Sequence, residues 1–392
     1  MHLLSVIVPT HKRAKYALPT VRSLLALSDR IEVVLSDTSG DSVLREAIAQ
    51  LPDARRVNLV QPPTGVSVVD NFNAALAAAT GDYLVFIGDD DLVTSATVLI
   101  AEWAKRTGVD AVSVSFPANY YWPDFHHRLR GDFYAGTLRV GDFSGSVRLH
   151  DAKRALAEAA SSLGNGVMGM PRAYAGMISR ELADRVRSRH GELFGGVSPD
   201  IYSAALLSSE CRKCVRVDYP IVVPGNSGGS TSGQSASGGH LGGLRDNAHI
   251  GAFKNLVWDE LIPEFYSVPT VWGYSLLKAL EKLGRQESAN LAYLYVRALL
   301  FHRPYAAFTW ISVRTWASRR GWLHVAPRMF AAAIGEAGWV ARKLFSMARV
   351  SASGKAPEGL SGVADTVAAS VRLEALLRDH AGTRALHQQL KA

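Results

Sequence analysis

Along the first 115 residues, short continuous apolar runs alternate with stretches in which apolar residues recur every three or four positions. Leu3-Leu4-Ser5-Val6-Ile7-Val8 stops at Pro9-Thr10 and predicts a buried strand. From about Tyr16 to Leu27, Leu18, Val21, Leu24 and Leu25 keep helical spacing. Ile31 to Leu35 predicts a second strand, ending in the turn-rich Ser36-Asp37-Thr38-Ser39-Gly40-Asp41. A helix follows from about Ser67 to Ala79, with Val69, Phe72, Leu76 and Ala79 on one face and Gly81-Asp82 closing it. Tyr83-Leu84-Val85-Phe86-Ile87 then runs into Gly88-Asp89-Asp90-Asp91, and a helix (Ser95 to Lys105) and a strand (Ala111 to Phe116) complete the pattern. Strands that are apolar throughout and alternate with helices predict a mostly parallel α/β sheet covered on both faces. Ligands of such sheets sit beyond the carboxyl ends of the strands, which here carry Pro9-Thr10, Asp37 and the acidic triplet.

Beyond Phe116 the pattern loosens into the aromatic segment Asn119-Tyr120-Tyr121-Trp122-Pro123-Asp124-Phe125. Helices are expected over about 151–162 and 180–190, with another opening at Val197-Ser198-Pro199-Asp200. Val215 to Val223, interrupted by Pro220, reads as an edge strand. The Gly/Ser-rich stretch 225–243 reads as a loop, and 244–344 as helical. A linker over 351–362 then precedes a last amphipathic helix over about 363–377. The expected division is an α/β subdomain at 1–115, a second subdomain with the Gly/Ser-rich loop at 116–245 and a helical C-terminal region at 246–392.

Composition narrows the function classes. The 392 residues are 48% hydrophobic and 20% charged, an ordinary globular mixture that excludes disordered, collagen-like and coiled-coil chains. No basic leader with a long apolar stretch opens the sequence, and no window holds about 18 uninterrupted apolar residues. Two cysteines make no disulfide framework, which points to a reducing cytoplasm. Cys211-Arg212-Lys213-Cys214 has the spacing of half a zinc site with no second half.

The net charge of +8 is unevenly spread. Residues 1–115 carry 10 Lys/Arg against 13 Asp/Glu, whereas 285–350 carry 10 against 2 and hold four of the eight Trp. Arg and Trp on amphipathic helices suit a peripheral contact with an anionic membrane. A packed helical domain with a solvated basic face, or an oligomer interface, is the alternative. No nucleic-acid-binding module surrounds this charge.

Three adjacent carboxylates at a strand end repel one another and raise each other's pKa. A divalent cation removes that penalty, and hard oxygen ligands suit Mg²⁺ or Mn²⁺ together with substrate phosphates. A solvated acidic turn, or Asp91 capping the next helix, is the competing reading.

Ser5-Val6-Ile7-Val8-Pro9-Thr10, the Asp37 turn, Asn73 eight residues before Gly81, and Gly81-Asp82-Tyr83-Leu84-Val85-Phe86-Ile87-Gly88-Asp89-Asp90-Asp91 resemble family 2 glycosyltransferases. The resemblance covers about residues 3–115. It implies a GT-A fold, a nucleotide-diphospho-sugar donor and inversion at the anomeric carbon, as in surface polysaccharide or glycoconjugate synthesis. It implies further that Pro9 and Thr10 line the nucleotide pocket, that Asp37 contacts the base, and that Asn73 belongs to the donor site. Asp89 would meet ribose or Mn²⁺/Mg²⁺, and Asp90 or Asp91 the diphosphate and the metal, with Asp89 and Asp91 as the metal pair. One departure is Ser36, where the family often has a second acidic residue.

Asp200, at a helix start, is the expected general base toward the hydroxyl of a saccharide or lipid-linked acceptor, and Asp124 is the reserve. Tyr120, Tyr121, Trp122 and Phe125 form either an acceptor platform or simply core. Residues 225–243 are either a lid over the diphosphate or a linker. Two rival readings stand beside glycosyl transfer. A sugar-nucleotide nucleotidyltransferase is disfavoured because Pro9-Thr10-His11-Lys12-Arg13 lacks a Gly-rich loop. A non-catalytic nucleotide-sugar-binding protein is disfavoured by the intact acidic cluster.

Overall fold

The computed structural model describes residues 2–230, 241–353 (side chains up to 342) and 359–391. Its first half alternates as the hydrophobic pattern predicts: β1 (Leu4–Thr10), α1 (Ala14–Leu27), β2 (Ile31–Asp37), α2 (Val43–Ala49), β3 (Val57–Val60), α3 (Val68–Ala78), β4 (Tyr83–Phe86), β5 (Leu92–Val93), α4 (Ala96–Thr107) and β6 (Ala111–Val114). The strands form where apolar runs leave no polar face to present to water. Leu4, Val6, Ile7 and Val8 have no exposed surface at all. The two elements with the weakest apolar signal, α2 and β3, escaped the sequence reading. β3 alternates half-buried and exposed residues because it is a sheet edge.

From residue 117 onward come β7 (Ala118–Tyr121), β8 (Thr137–Val140), β9 (Val147–His150), α5 (Ala152–Ser161), β10 (Met177–Ser179), α6 (Arg180–His190), α7 (Pro199–Glu210), β11 (Cys214–Val217), β12 (Val222–Val223) and β13 (Gly225–Asn226). The main sheet has the order β3-β2-β1-β4-β10-β6-β11-β9. β3, β2, β1 and β4 run parallel, as do β6 and β11, while β10 and β9 run against their neighbours. This is the large, mostly parallel, helix-flanked sheet that the sequence predicts.

One local expectation is corrected. The edge strand over 215–223 is two strands. β11 is paired on both sides, and after Pro220 β12 joins β5 in a separate ribbon. The aromatic segment opens with β7, which pairs with β8 and β13 and buries Tyr120 completely. Asp70, exposed on α3, closes a capping box with Ser67 at the start of that helix.

Two apolar cores lie on opposite faces of the sheet. One joins α3, α5, α6 and α7 to the helices Val268–Lys282, Ala292–Phe301 and Ala306–Arg320, and the helix Trp322–Ser353 adds Val325 and Ala332 to it. The other joins α1, α2 and α4 to the last two helices, Thr366–Arg378 and Ala381–Lys391. Leu373, Leu377 and Leu386 are buried there, each contributing roughly 1.5–3 kcal/mol. Thr20 Oγ1 meets Thr366 Oγ1 at 3.3 Å, and Glu374 accepts from the Ser95 amide at 2.7 Å. The end of the chain therefore braces the helix that follows β1.

Candidate active site

The register of β1 and β2 sets Thr10 opposite Asp37, and β4 ends at Phe86 opposite Ile7, from where the chain runs on through Gly88 to Asp89. Three of the expected donor residues thus share one edge of the sheet because parallel strands end together. Thr10 Oγ1 donates to Asp89 Oδ2 at 2.6 Å. Pro9, partly exposed, lies one residue further back on β1. Asp37 is buried, and its Oδ1 accepts from the Ser39 amide at 2.9 Å and from the Ser39 hydroxyl. Its Oδ2 is buried with no hydrogen-bond partner among the described residues.

Asp89, Asp90 and Asp91 are all buried, and a cation is indeed close to them. It is Arg13, from the turn between β1 and α1. Its Nε donates to Asp89 Oδ1 and Oδ2 at 2.8 and 2.9 Å, and its Nη2 lies 3.0 Å from Asp90 Oδ2. Nη1 of Arg13 is buried without a partner among the described residues. Ser227 donates through its hydroxyl to Asp90 Oδ2 at 2.5 Å and accepts from Arg13 Nη2 at 2.9 Å. Asp91 accepts from the amides of Gly225 and Gly88, both at 2.7 Å, and lies 3.5 Å from the Tyr174 hydroxyl. Trp122 Nε1 and Thr20 Oγ1 hold the backbone carbonyls of Asp90 and Asp89 from behind.

The chain around the cluster leaves no room for larger residues. A Cβ at position 225 would fall 1.7 Å from the Asp90 carbonyl oxygen, so only glycine lets this backbone approach. At Gly88 a Cβ would sit about 3.0 Å from Asp90 Oδ1 and the Tyr174 hydroxyl. Burial dominates the electrostatics. It pushes Asp89 up to about 6 against the pull of Arg13, and it raises Asp90. Burial and the neighbouring Asp90 charge push Asp91 up to about 7 despite its two amide donors.

The fit of a divalent cation follows from these partners. The oxygen donors are of the right chemical kind, but they diverge. Asp89 faces Arg13 and Thr10, Asp90 faces Ser227, and Asp91 turns back onto two amides. No three His, Cys, Asp or Glu side chains among the described residues converge as a metal site. In this arrangement the expected pair Asp89 and Asp91 does not fit Mn²⁺ or Mg²⁺, because Asp89 is taken by Arg13 and Thr10 while both Asp91 oxygens accept from backbone amides.

Asp200 acts electrostatically on Tyr174 and Arg172, and Tyr174 also feels the acidic triplet. Asp200 occupies the first turn of α7, where Pro199 starts the helix and a carboxylate suits the dipole. The Ser198 hydroxyl donates to its Oδ1, and Ser275 Oγ accepts from the amides of Val197 and Ser198, fixing the loop. Tyr174, beside Asp91, is pushed far above the usual phenol range by burial and by the charges of Asp91, Asp90, Asp200 and Asp89, so it lies within electrostatic reach of both groups. Arg172, two residues earlier, stacks on Phe116 at 4.6 Å and makes no ion pair among the described residues. Burial lowers its pKa while Asp200 and Tyr174 oppose the shift. Neither Arg13 nor Arg172 was singled out from sequence. For Arg13 the available signal was a basic residue just past a strand end; for Arg172 there was none.

Other expected residues lie elsewhere. Asn73 donates to the Phe194 carbonyl at 2.9 Å and accepts from its amide at 3.3 Å, so its side chain ties α3 to the loop before α7. Asn71, two residues earlier, accepts from Ser36 Oγ at 2.6 Å and braces the end of β2. Asp124 accepts from Tyr16, from Lys15 Nζ at 2.9 Å and from the Gly228 amide at 3.2 Å. These donors outweigh burial and hold it below the usual carboxylate range, which suits a brace rather than a base. Tyr120, Trp122 and Phe125 are core, not a platform. Cys211 and Cys214 are buried free thiols. Of the glycine-rich stretch, residues 225–230 lie on the acidic cluster, and the remainder of the expected lid falls largely at 231–240, outside the described residues. A cavity of about 950 Å³ opens beside Gly195, Gly196 and Tyr202, and the acidic cluster does not line it.

Residues 5–152 match the sequence profile of glycosyl transferase family 2. This part of the chain belongs to that family. The protein is a glycosyltransferase, and the match weighs against the nucleotidyltransferase reading. No curated protein matches the chain. Among solved structures, the glycosyltransferase is similar to residues 1–349 of S. aureus TarS in complex with UDP-GlcNAc: 16% identity, TM-score 0.45, 78% of this chain and 79% of that one. The TarS 1–349 complex with UDP gives 16% identity and TM-score 0.41 over 81% and 92%. Mannosyltransferase PcManGT from Pyrobaculum calidifontis, in complex with GDP-Man and Mn²⁺, gives 17% and 0.39 over 84% and 86%. Likenesses this remote assign neither sugar nor metal to this chain.

Proposed function

We propose that the cleft binds a nucleotide-diphospho-sugar and transfers its sugar, with inversion, to the hydroxyl of a saccharide or lipid-linked acceptor. What carries this reading is a pair of buried polar atoms without hydrogen-bond partners among the described residues: the acceptor Oδ2 of Asp37 and the donor Nη1 of Arg13. Leaving such groups unmade costs about 1–3 kcal/mol each, more when charged, and a nucleotide diphosphate supplies partners of the right polarity for both. Asp37 would accept an N–H of the base, with Pro9 and Thr10 as the pocket wall. Arg13, and Arg172 across the cleft, would meet the diphosphate oxygens, where guanidinium forks are well suited. The acceptor oxygen attacks the anomeric carbon as the bond to the diphosphate oxygen breaks. The electron pair leaves with the diphosphate, and the acceptor proton passes to Asp200. The metal expected on Asp89 and Asp91 has no step in this reading, because their oxygens already have other partners.

Asp200→Asn tests the role of the base. Donor binding should stay within about twofold, while transfer falls by roughly 10² to 10⁴, the usual weight of general-base assistance. Unchanged turnover would remove Asp200 from the reaction.

A further inference from the structure

The helices Ala306–Arg320 and Trp322–Ser353 each turn a second apolar surface away from the core. In the longer helix Val325, Ala332 and Glu336 face inward and are buried. On the opposite side Leu323, Pro327, Phe330 and Ile334 follow one another at steps of four, three and four residues, which keeps them on one face. Leu323 is 96% exposed, Phe330 70% and Ile334 60%. The shorter helix buries Thr309, Ser312, Val313 and Trp316 and exposes Phe308, Trp310 and Ile311. An apolar surface of this kind marks a contact, since soluble monomers rarely leave one bare.

The charges around it select the occupant. Arg303, Arg314, Arg328 and Arg342 make no ion pair among the described residues, whereas Arg319 and Arg320 reach Glu260 and Glu287. A second copy on this face would set unpaired arginines against their own kind, because a two-fold interface pairs a surface with itself. An acidic polymer would satisfy the arginines but not Leu323, Phe330 and Ile334. An anionic lipid surface satisfies both, taking the apolar side chains at the acyl boundary and the arginines at its phosphates. No helix among the described residues is long and apolar enough to cross a membrane, so the contact lies in the plane of the interface.

We propose that residues 306–342 dock the enzyme onto an anionic lipid surface through the exposed face around Leu323, Phe330 and Ile334. The full chain should float with vesicles of phosphatidylcholine containing about one-third phosphatidylglycerol, and not with phosphatidylcholine alone. Binding should weaken at high salt. The triple variant Leu323→Glu, Phe330→Glu, Ile334→Glu should lose at least about tenfold in binding with its melting temperature unchanged, since these side chains touch no core. Should that variant fold poorly, Arg314→Gln and Arg328→Gln give an independent reading, each expected to weaken binding about fivefold. Absence of binding to anionic vesicles, or binding indifferent to these substitutions, would overturn the proposal. So would sedimentation showing a concentration-dependent dimer that the triple variant dissolves.

Discussion

Two regions of this chain treat their difficult side chains in opposite ways. At the sheet edge, three carboxylates are buried and nearly every oxygen has a partner: Arg13, Thr10, Ser227 and the amides of Gly88 and Gly225. On the helices of 306–342, large apolar side chains and unpaired arginines stand in solvent. Burying charge is expensive unless it is matched, so the first region is organised by hydrogen bonds from three segments, around residues 10–13, 88 and 225–227. Exposed apolar surface has a smaller penalty and needs no organisation within the chain, so the second is held only by the helix beneath it. In each case the proposed role rests on what the described residues leave unmatched: two polar atoms at the sheet edge, and an apolar face on the helices.

The comparison breaks most easily at Arg13. Arg13→Gln leaves Asp89 and Asp90 buried without a cation, and the prediction is a loss of about 3 kcal/mol in unfolding free energy at neutral pH, read by urea denaturation. A loss below about 0.5 kcal/mol would mean that the cluster needs no internal cation. By contrast, single exposed positions such as Leu323 should change stability by less than about 0.5 kcal/mol, within the range of ordinary surface substitutions.

A smaller effect sharpens the same point. Asp89 at about 6 and Asp91 at about 7 hold protons in the folded protein that the unfolded chain has already released. Folding therefore takes up protons between about pH 4 and 7, and stability falls as pH rises through that window. The melting temperature of the unmodified protein should be higher at pH 5.5 than at pH 7.5. The deficit of Arg13→Gln should narrow at the lower pH, because protonation relieves the carboxylates it leaves exposed to one another. An unchanged deficit would place the role of Arg13 elsewhere.

The sheet was legible because its strands are apolar on both faces, a pattern that surface elements cannot imitate. Asp37, Thr10 and the acidic triplet were legible as a group because parallel strands end on one side. The need for a cation at three neighbouring carboxylates was equally readable, but its identity was not. A guanidinium contributed by a turn 76 residues earlier answers the same Coulomb problem as a metal, and nothing in the local spacing distinguishes them. Asn73 allowed two readings, a donor-site residue or a polar helix residue bonded to a loop, for a related reason. A polar residue on a helix facing a loop has the same local pattern whether it meets ligand or backbone, and here it meets Phe194. Arg172 was invisible because only the fold brings it to Asp200. The return of the last two helices onto α1 and α4 was likewise beyond the sequence, since amphipathicity says that a face is buried and not against what.

The most direct measurement is donor binding to the unmodified protein and to Asp37→Asn, across a panel of nucleotide-diphospho-sugars, by calorimetry. A nucleotide-sugar should bind the unmodified protein and bind Asp37→Asn roughly 10- to 100-fold more weakly, the weight of a hydrogen bond to a buried carboxylate. If no member of the panel binds, or if the substitution leaves affinity unchanged, the sheet edge is not the donor site.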